Sequence, residues 1–266
     1  LVKQALNDCP PFFFSTLRFG LATILTIALV NRQLFQLTNN EITGGIVCGF
    51  FLFLGYGFQN FGLMHTTASK SAFITSVSVL LVPIFLVTCN LQKVKWRIWI
   101  AVLLATMGLY LLILPSGGGL NLGDILTSGC ALGFALHIIA QDIYIKKEIR
   151  LLPFFCVQSG FVTLFSFVNA QIFESSAIIW SDRLFTAIII TGVLATFAAF
   201  LIMIWAQKIL NPSETAIIFA GEPVAAALFA TAFGGEILGL WGWIGGSLVC
   251  LAVMYGESRG KIDENK

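Results

Sequence analysis

Apolar residues are grouped along the chain in nine long blocks, separated by short connections rich in Pro, Asn, Gly and charged residues. Each block has roughly 20 residues, enough for an α-helix to cross the hydrocarbon core of a bilayer. The connections leave no room for an inserted soluble domain. The pattern therefore predicts nine spanning helices, at about 11–30, 42–64, 67–89, 97–114, 122–144, 152–173, 184–207, 211–233 and 238–256.

The composition supports a location in a membrane. Hydrophobic residues make up 58% of the chain and charged residues only 11%, against roughly 25% charged in an average soluble domain. A net charge of +2, with scattered basic residues, does not suggest a nucleic-acid partner. We predict an all-α integral membrane protein whose surroundings are the lipid bilayer.

The second half of the chain repeats the first at an offset of 144 residues, which indicates a duplication. HTTASKSAFI at 65–74 aligns with ILNPSETAII at 209–218, and Trp99 aligns with Trp243 further along. We predict a first repeat at 1–114, a second repeat at 122–256 and a cytoplasmic tail at 257–266.

The repeat also predicts a helix that precedes this sequence. The span at 122–144 lies before PFF at 153–155, but the matching PFF at 11–13 follows only LVKQALNDCP. We expect about twenty further residues before Leu1, forming most of a first helix; a removed signal peptide is the alternative. The complete fold would be a ten-helix bundle of five plus five helices. Because five is odd, the halves would insert in opposite orientations, as in many secondary transporters.

Basic residues predict the orientation of the bundle. With a cytoplasmic C-terminus, the outside loops hold only Lys3, Lys70 and Arg183. This bias agrees with the positive-inside rule. The inside loops and tail then hold eleven basic residues: Arg32, Lys93, Lys95, Arg97, Lys146, Lys147, Arg150, Lys208, Arg259, Lys261 and Lys266.

Polar residues inside the predicted spans are candidates for a central cavity, because they are costly in contact with lipid. Helical spacing places two sets of them each on one shared face. The spans at 97–114 and 238–256 are nearly free of polar residues, so we interpret them as scaffold. The two faces are Thr127, Cys130, His137, Gln141 and Tyr144, and Ser71, Thr75 and Ser78; Tyr56, Gln59 and Asn60 form a third polar patch.

These candidates have structural alternatives. Ser and Thr in spanning helices often bond to their own backbone or to a neighbouring helix. His137 could belong to the bundle core, and Gln59 and Asn60 are adjacent, so they cannot point the same way. Arg18, inside the first complete span, could pair structurally or bind an anionic group.

Glu222 and Pro223 lie side by side in the middle of the span at 211–233. A residue before proline is pushed away from helical geometry, so we predict a helix interruption there. The matching span carries Pro83 at nearly the equivalent place. Interrupted helices in corresponding positions of two halves indicate a binding site at the middle of the membrane. The carboxylate could bind a cation, take up a proton or contact substrate; it could also cap freed backbone N–H groups.

Three stretches resemble the EamA-type family of the drug/metabolite transporter superfamily. They are LRFGLA at 17–22, TTASKSAFITSVSVLLVPIF at 66–85 and NPSETAIIFAGEPVAAALFATAFGGEIL at 211–238. The resemblance implies ten helices, cytoplasmic termini, a central cavity, and a carrier of small molecules, frequently an exporter of amino acids or related metabolites, in a bacterial inner membrane. Because the Glu-Pro pattern recurs in members with different cargo, it implies gating or coupling for Glu222 rather than selectivity. The chief departure is the absent first helix.

The sequence predicts a secondary transporter of small polar or amphipathic metabolites, which works by alternating access. It has no P-loop for ATP and none of the usual metal motifs, so we expect no cofactor, no metal and no enzymatic activity. Proton coupling and the oligomeric state stay open. The alternative is a sensor or assembly subunit that keeps the fold but carries nothing.

Overall fold

The computed structural model describes residues 1–113, 120–175, 177–225, 228 and 239–257. These residues form helices joined by short connections. In chain order the helices are α1 (Val2–Ala5), α2 (Pro11–Val30), a 3₁₀ turn (Asn31–Gln36), α3 (Asn39–His65), α4 (Ala68–Ser76), α5 (Ser78–Thr88), α6 (Trp96–Ile113), α7 (Leu122–Ile145), α8 (Leu151–Phe173), α9 (Asp182–Ile189), a π-helix (Ile190–Ala198), α10 (Ala199–Ala206), α11 (Pro212–Phe219) and α12 (Leu240–Glu257).

Six helical segments in the described part of the chain are long and apolar enough to cross a membrane. They match six of the nine predicted spans, and α6 and α12 match two more with 18 residues each. The end of the eighth span, at 211–233, and the tail after residue 257 lie outside the described residues. The prediction of an all-α membrane bundle is confirmed.

Two spans are interrupted at places that we did not predict. The span at 67–89 divides at Val77 into α4 and α5, and the span at 184–207 contains nine residues of π-helix. The expected interruption before Glu222 is confirmed, because α11 ends at Phe219 and a new helical turn begins at residue 221. Pro223 explains this interruption, since its ring clashes with the carbonyl four residues earlier. The equivalent interruption in the first half lies at Val77, so its prediction at Pro83 was wrong by six residues.

The two halves of the chain meet through equivalent helices. The largest contacts across the halves join α3 to α7, α6 to α12 and α2 to α8. At the 144-residue offset α2 corresponds to α8, and α6 corresponds to α12. The contacts of α2 with the π-helix and of α8 with α3 are also equivalent. This symmetric pattern is what two related halves packed around a common axis produce.

Alternate connections meet at opposite ends of the bundle. At one end, named here the Asp8 end, Asp8 pairs with Arg183, and Asp124 pairs with Lys70 at 3.2 Å. At the other, named the Glu41 end, Arg150 pairs with Glu41 at 2.7 Å. This grouping is the one expected for helices that run alternately up and down. Basic residues are concentrated at the Glu41 end, so we predict that this end faces the cytoplasm.

The Asp8 end predicts a pH-dependent contribution to stability. Hydrogen bonds from Arg183 and Ser181 lower the pKa of the Asp8 carboxyl below its ordinary value. A carboxyl with a depressed pKa stabilises the fold above its unfolded pKa of about 3.9, and this stabilisation is lost as the pH falls through the folded pKa. Asp8→Asn should therefore lower the melting temperature in detergent at pH 7, and the gap to the native protein should shrink below about pH 3.9. If the difference in melting temperature between the native protein and Asp8→Asn stays constant down to pH 3, the Asp8 carboxylate does not provide this stabilisation.

Candidate functional site

The site is centred on Arg18, which lies in the middle of α2 and is only 6% exposed. Its Nε donates to the hydroxyl of Thr196 at 2.6 Å. Its Nη2 donates to the hydroxyl of Tyr56 and to the carbonyl of Ala195, both at 3.2 Å. All these partners are neutral, and among the described residues no carboxylate pairs with the guanidinium. A buried cation without a counter-ion is costly, so this placement requires an explanation beyond packing.

The π-helix supplies two of the three acceptors for Arg18. Thr196 and Ala195 are consecutive residues of this segment, and both face α2. Gly192, one turn earlier, allows the close approach, because a methyl group there would lie 3.1 Å from the carbonyl oxygen of Arg18. π-helical segments within α-helices are frequently found at functional sites, and this one holds the guanidinium from one side.

Two aromatic rings also contact the guanidinium. Its central carbon lies 4.5 Å from the centre of the Tyr56 ring and 5.6 Å from that of Phe19. The Tyr56 ring makes edge-to-face contacts with the rings of Phe134 and Phe200, with ring centres 5.1 Å and 6.5 Å apart. Cation–π contact partly compensates the guanidinium for lost water. The result is a charged group within an aromatic wall.

Glu222 interacts electrostatically with Arg18 and Tyr56. Ala220 and Val224 are buried against α6 and α12, and a residue two positions from Val224 points to the opposite side of a helix. Glu222 is accordingly exposed at the surface of its helical turn, within electrostatic range of Arg18 and Tyr56. Among the described residues its carboxylate makes no hydrogen bond or ion pair. An exposed carboxylate therefore lies within electrostatic range of a buried guanidinium, and among the described residues the two form no ion pair. Pro223, half-buried, follows Glu222 in the same turn.

His137 and Gln141 lie on the face of α7 that the sequence predicted, and both are fully buried. The Nε2 atoms of His137 and Gln158 are 2.9 Å apart. Gln141 donates to Gln207 at 2.6 Å, and Gln207 donates to the carbonyl of Ile138. The amide oxygens of Gln141 and Gln158 have no partner. These pairs join α7 to α8 and α10, beside the aromatic wall at Phe200.

The remaining predicted residues are spread more widely. Asn60 donates to Ser15 at 2.9 Å and to the carbonyl of Pro11, near the Asp8 end. Gln59, its neighbour, is half-buried on another side of α3. The hydroxyl of Thr75 lies 3.6 Å from the sulfur of Cys130. Ser78 is buried at the start of α5 and is the counterpart of Glu222 at the 144-residue offset.

Sequence reasoning missed Thr196, Gln158 and Gln207. Each is a buried polar residue in a spanning helix, so the cost argument that selected the other candidates applied to them too. Residue type and helix face would still not have paired Thr196 with Arg18, because the two are 178 residues apart in the chain.

A cavity of about 770 Å³ lies at the Glu41 end. Its wall includes Asp142, which accepts from Lys146 at 2.6 Å and from Gln92 at 3.1 Å, and Gln207, the partner of Gln141. Glu148, Lys208 and Asn211 complete its polar lining. The part of the chain that the structure describes holds no cluster of three His, Cys, Asp or Glu residues suited to a metal ion.

The model of the EamA-like transporter family matches residues 1–114 and 121–255. The chain belongs to the EamA-like transporter family. A protein from Archaeoglobus fulgidus, described as an uncharacterized transporter, is 33% identical over 255 residues, which is 96% of this chain and 79% of that protein. A solved crystal structure of another protein shares the fold, with a TM-score of 0.78 and 16% identity over 97% of this chain and 90% of its own.

Membership of the EamA-like family confirms the resemblance and makes this chain a membrane transporter of the drug/metabolite kind. The family and the name of the A. fulgidus relative point to a transporter rather than an enzyme.

Proposed function

We propose that this EamA-like protein is a secondary transporter that exports small polar or amphipathic metabolites by alternating access around a central cavity. One observation carries the proposal: inside a bundle of two repeats, the buried Arg18 and the exposed Glu222 lie within electrostatic range of each other, and among the described residues they form no ion pair. Charged residues within membrane-spanning helices usually mark sites that a ligand or ion uses. The guanidinium would bind an anionic group of the cargo, and the carboxylate would act in gating or coupling.

The ligand space would include further residues from the predicted set. Tyr56 provides a ring and a hydroxyl beside Arg18. We propose that His137 and Gln141 line the same path toward the cavity at the Glu41 end, which Gln207 also lines. Thr75 and Ser78 flank the interruption in the first repeat, Gln59 and Asn60 lie toward the Asp8 end, and Pro223 maintains the interruption beside Glu222.

Two features support alternating access. Helix interruptions at Val77 and Ala220 occupy equivalent places in the two halves, one residue from the 144-residue offset, and such pairs line binding sites in inverted-repeat transporters. A cavity of about 770 Å³ also lies at the Glu41 end of the bundle. In the orientation we propose, this is a state accessible from the cytoplasm. The protein would lie in the inner (plasma) membrane of a bacterium.

Flux into proteoliposomes tests the proposal. The protein would be reconstituted and given a panel of labelled amino acids and other small metabolites, with and without a proton gradient. We expect saturable flux of at least one compound, lowered about tenfold by Glu222→Gln, because the substitution removes the charge and keeps the shape. Glu214→Gln is the matched control. Glu214 belongs to the capping box of α11, where glutamine serves equally well.

The outcomes separate the alternatives. Saturable flux that survives Glu222→Gln would support transport and leave Glu222 as a structural cap. Loss of the flux response to a proton gradient in Glu222→Gln alone would assign proton coupling to this carboxylate. Folded protein that carries no compound of the panel would favour the sensor or assembly subunit, and a partner recovered without flux would establish it.

A further inference from the structure

Thr196 differs from the other hydroxyl residues of the bundle in the bond that it makes to its own helix. Thr16, Thr26, Thr127 and Thr191 each donate to the carbonyl four residues earlier, as usual in a spanning helix. Thr196 donates at 2.7 Å to the carbonyl of Thr191, five residues earlier. That donation requires the wider turn of the π-helix. The hydroxyl of Thr196 is therefore tied to the local helix geometry.

The same hydroxyl accepts from Arg18. A threonine hydroxyl has one hydrogen and two lone pairs; the hydrogen goes to Thr191, which leaves the oxygen facing the guanidinium at 2.6 Å. The next carbonyl back, that of Ala195, accepts from Nη2 at 3.2 Å. Together these acceptors hold two nitrogens of Arg18 against the π-helix. Among the described residues, Nη1 has no partner.

The contacts of Arg18 with the π-helix and Tyr56 oppose its electrostatic attraction to Glu222. Glu222 carries the opposite charge, lies within electrostatic range of Arg18 and has no other partner among the described residues. In apolar surroundings an ion pair between them would be favoured over two separate charges. The contacts that oppose this pairing are those of Arg18 with Thr196, Ala195 and Tyr56.

We propose that Thr196 is a positioning residue: from the π-helix it holds the Arg18 guanidinium away from Glu222, so that both charges stay available to ligand. The inference rests on the proposed role of these two charges in binding and gating. Without the hydroxyl, Arg18 would turn to Glu222 and form an internal ion pair. This ion pair would make both charged groups unavailable to ligand.

Chemical labelling of Glu222 tests this without a known cargo. Dicyclohexylcarbodiimide reacts with protonated carboxyl groups in apolar surroundings: the carboxyl O–H adds across one C=N bond to give an O-acylisourea, which rearranges to a stable N-acylurea. Peptide mass spectrometry of purified full-length protein measures the rate at Glu222, with Glu222→Gln as background. Labelling proceeds through the protonated fraction of the Glu222 carboxyl. We expect labelling of the native protein and a rate about tenfold lower in Thr196→Val, because an ion pair with Arg18 would lower that protonated fraction and cover the carboxylate.

Two variants separate positioning from damage to the fold. Thr196→Ser keeps the hydroxyl and should restore the native labelling rate. Thr191→Val removes a buried hydroxyl from the same π-helix. This hydroxyl donates to the backbone carbonyl of Ala187, so the labelling rate of the variant should match that of the native protein.

The double variant Thr196→Val with Arg18→Gln tests the role of the cation. It should be labelled faster than Thr196→Val alone, because the guanidinium that pairs with Glu222 is gone.

The proposal is overturned if folded Thr196→Val is labelled at the native rate or faster. It is also overturned if Thr196→Ser fails to restore labelling, or if Glu222 of the native protein reacts no faster than background. None of these results depends on flux. A protein that transports nothing but shows the expected labelling would keep the positioning role and lose the proposed transport.

Discussion

Arg18→Lys is expected to lower saturable flux in proteoliposomes about a hundredfold. The guanidinium donates from Nε and Nη2 to acceptors on two adjacent residues of the π-helix and lies over the ring of Tyr56. A lysine ammonium is not planar and cannot reproduce this forked pair of hydrogen bonds. Two hydrogen bonds to a charged group contribute about 3 kcal/mol, and each 1.4 kcal/mol corresponds to about tenfold. The measurement is initial flux at equal protein content in vesicles of one lipid composition.

Arg97→Lys is the matched control for this substitution. Arg97 also lies over a tyrosine ring, that of Tyr255 at 5.0 Å, and donates to the Tyr255 carbonyl. It is located at the Glu41 end, on the scaffold helices α6 and α12, so its replacement should leave flux within about twofold of native. Flux of the Arg18→Lys protein above half the native value would show that a point charge is sufficient. The role assigned to the fork would then be wrong.

Gly245→Ala is expected to cause the largest loss of stability from a single added methyl group. Gly245 in α12 meets α6, and a methyl group there would lie 2.5 Å from the backbone nitrogen of Leu112 and closer still to the carbonyl oxygen of Gly108. Backbone atoms in a helix cannot yield, so α6 and α12 would have to separate. Overpacking of this kind costs about 2 kcal/mol or more, a fall in melting temperature in detergent of about 5 °C.

The neighbouring glycine provides the control. A methyl group at Gly246 would lie 3.5 Å from a side-chain carbon of Val224, which is ordinary contact. Gly246→Ala should therefore change the melting temperature by less than about 2 °C. Equal melting temperatures for the two variants would mean that α6 and α12 are not in backbone contact at Gly245.

The helices were largely predictable because a bilayer imposes one rule on every spanning segment. A span must be long, apolar and internally hydrogen-bonded, so the blocks at 11–30, 122–144 and 152–173 match α2, α7 and α8 within about two residues. The duplication was also readable, since the family model matches both halves. These features depend on local composition and on comparison of the chain with itself.

The helix irregularities were predictable only where a proline marks them. The interruption before Glu222 followed from Pro223, but the division at Val77 and the π-helix at 190–198 have no such marker. π-helices are rare, so we expect this one to persist because neighbouring segments stabilise it. Here the neighbour is α2, through Arg18 and the close approach at Gly192.

The candidate site shows the same division. The cost of burying polar groups selected Arg18, Tyr56, His137, Gln141 and Glu222 from the sequence, because that cost depends only on residue type and depth in the bilayer. Their grouping depended on contacts between distant segments. Tertiary packing places the Tyr56 ring against the Arg18 guanidinium. It places Asn60 near the Asp8 end, where Asn60 donates to the carbonyl of Pro11.

The sequence by itself determined that this chain is a duplicated bundle of membrane helices and identified the charged residues within it. Hydrophobicity, length and repetition are properties of segments, and each can be evaluated before the chain folds. Only the tertiary structure decided that Thr196 and Ala195 hold Arg18 while Glu222 stays unpaired. Those contacts join residues more than 170 positions apart, and their partners are fixed by the way in which the helices pack.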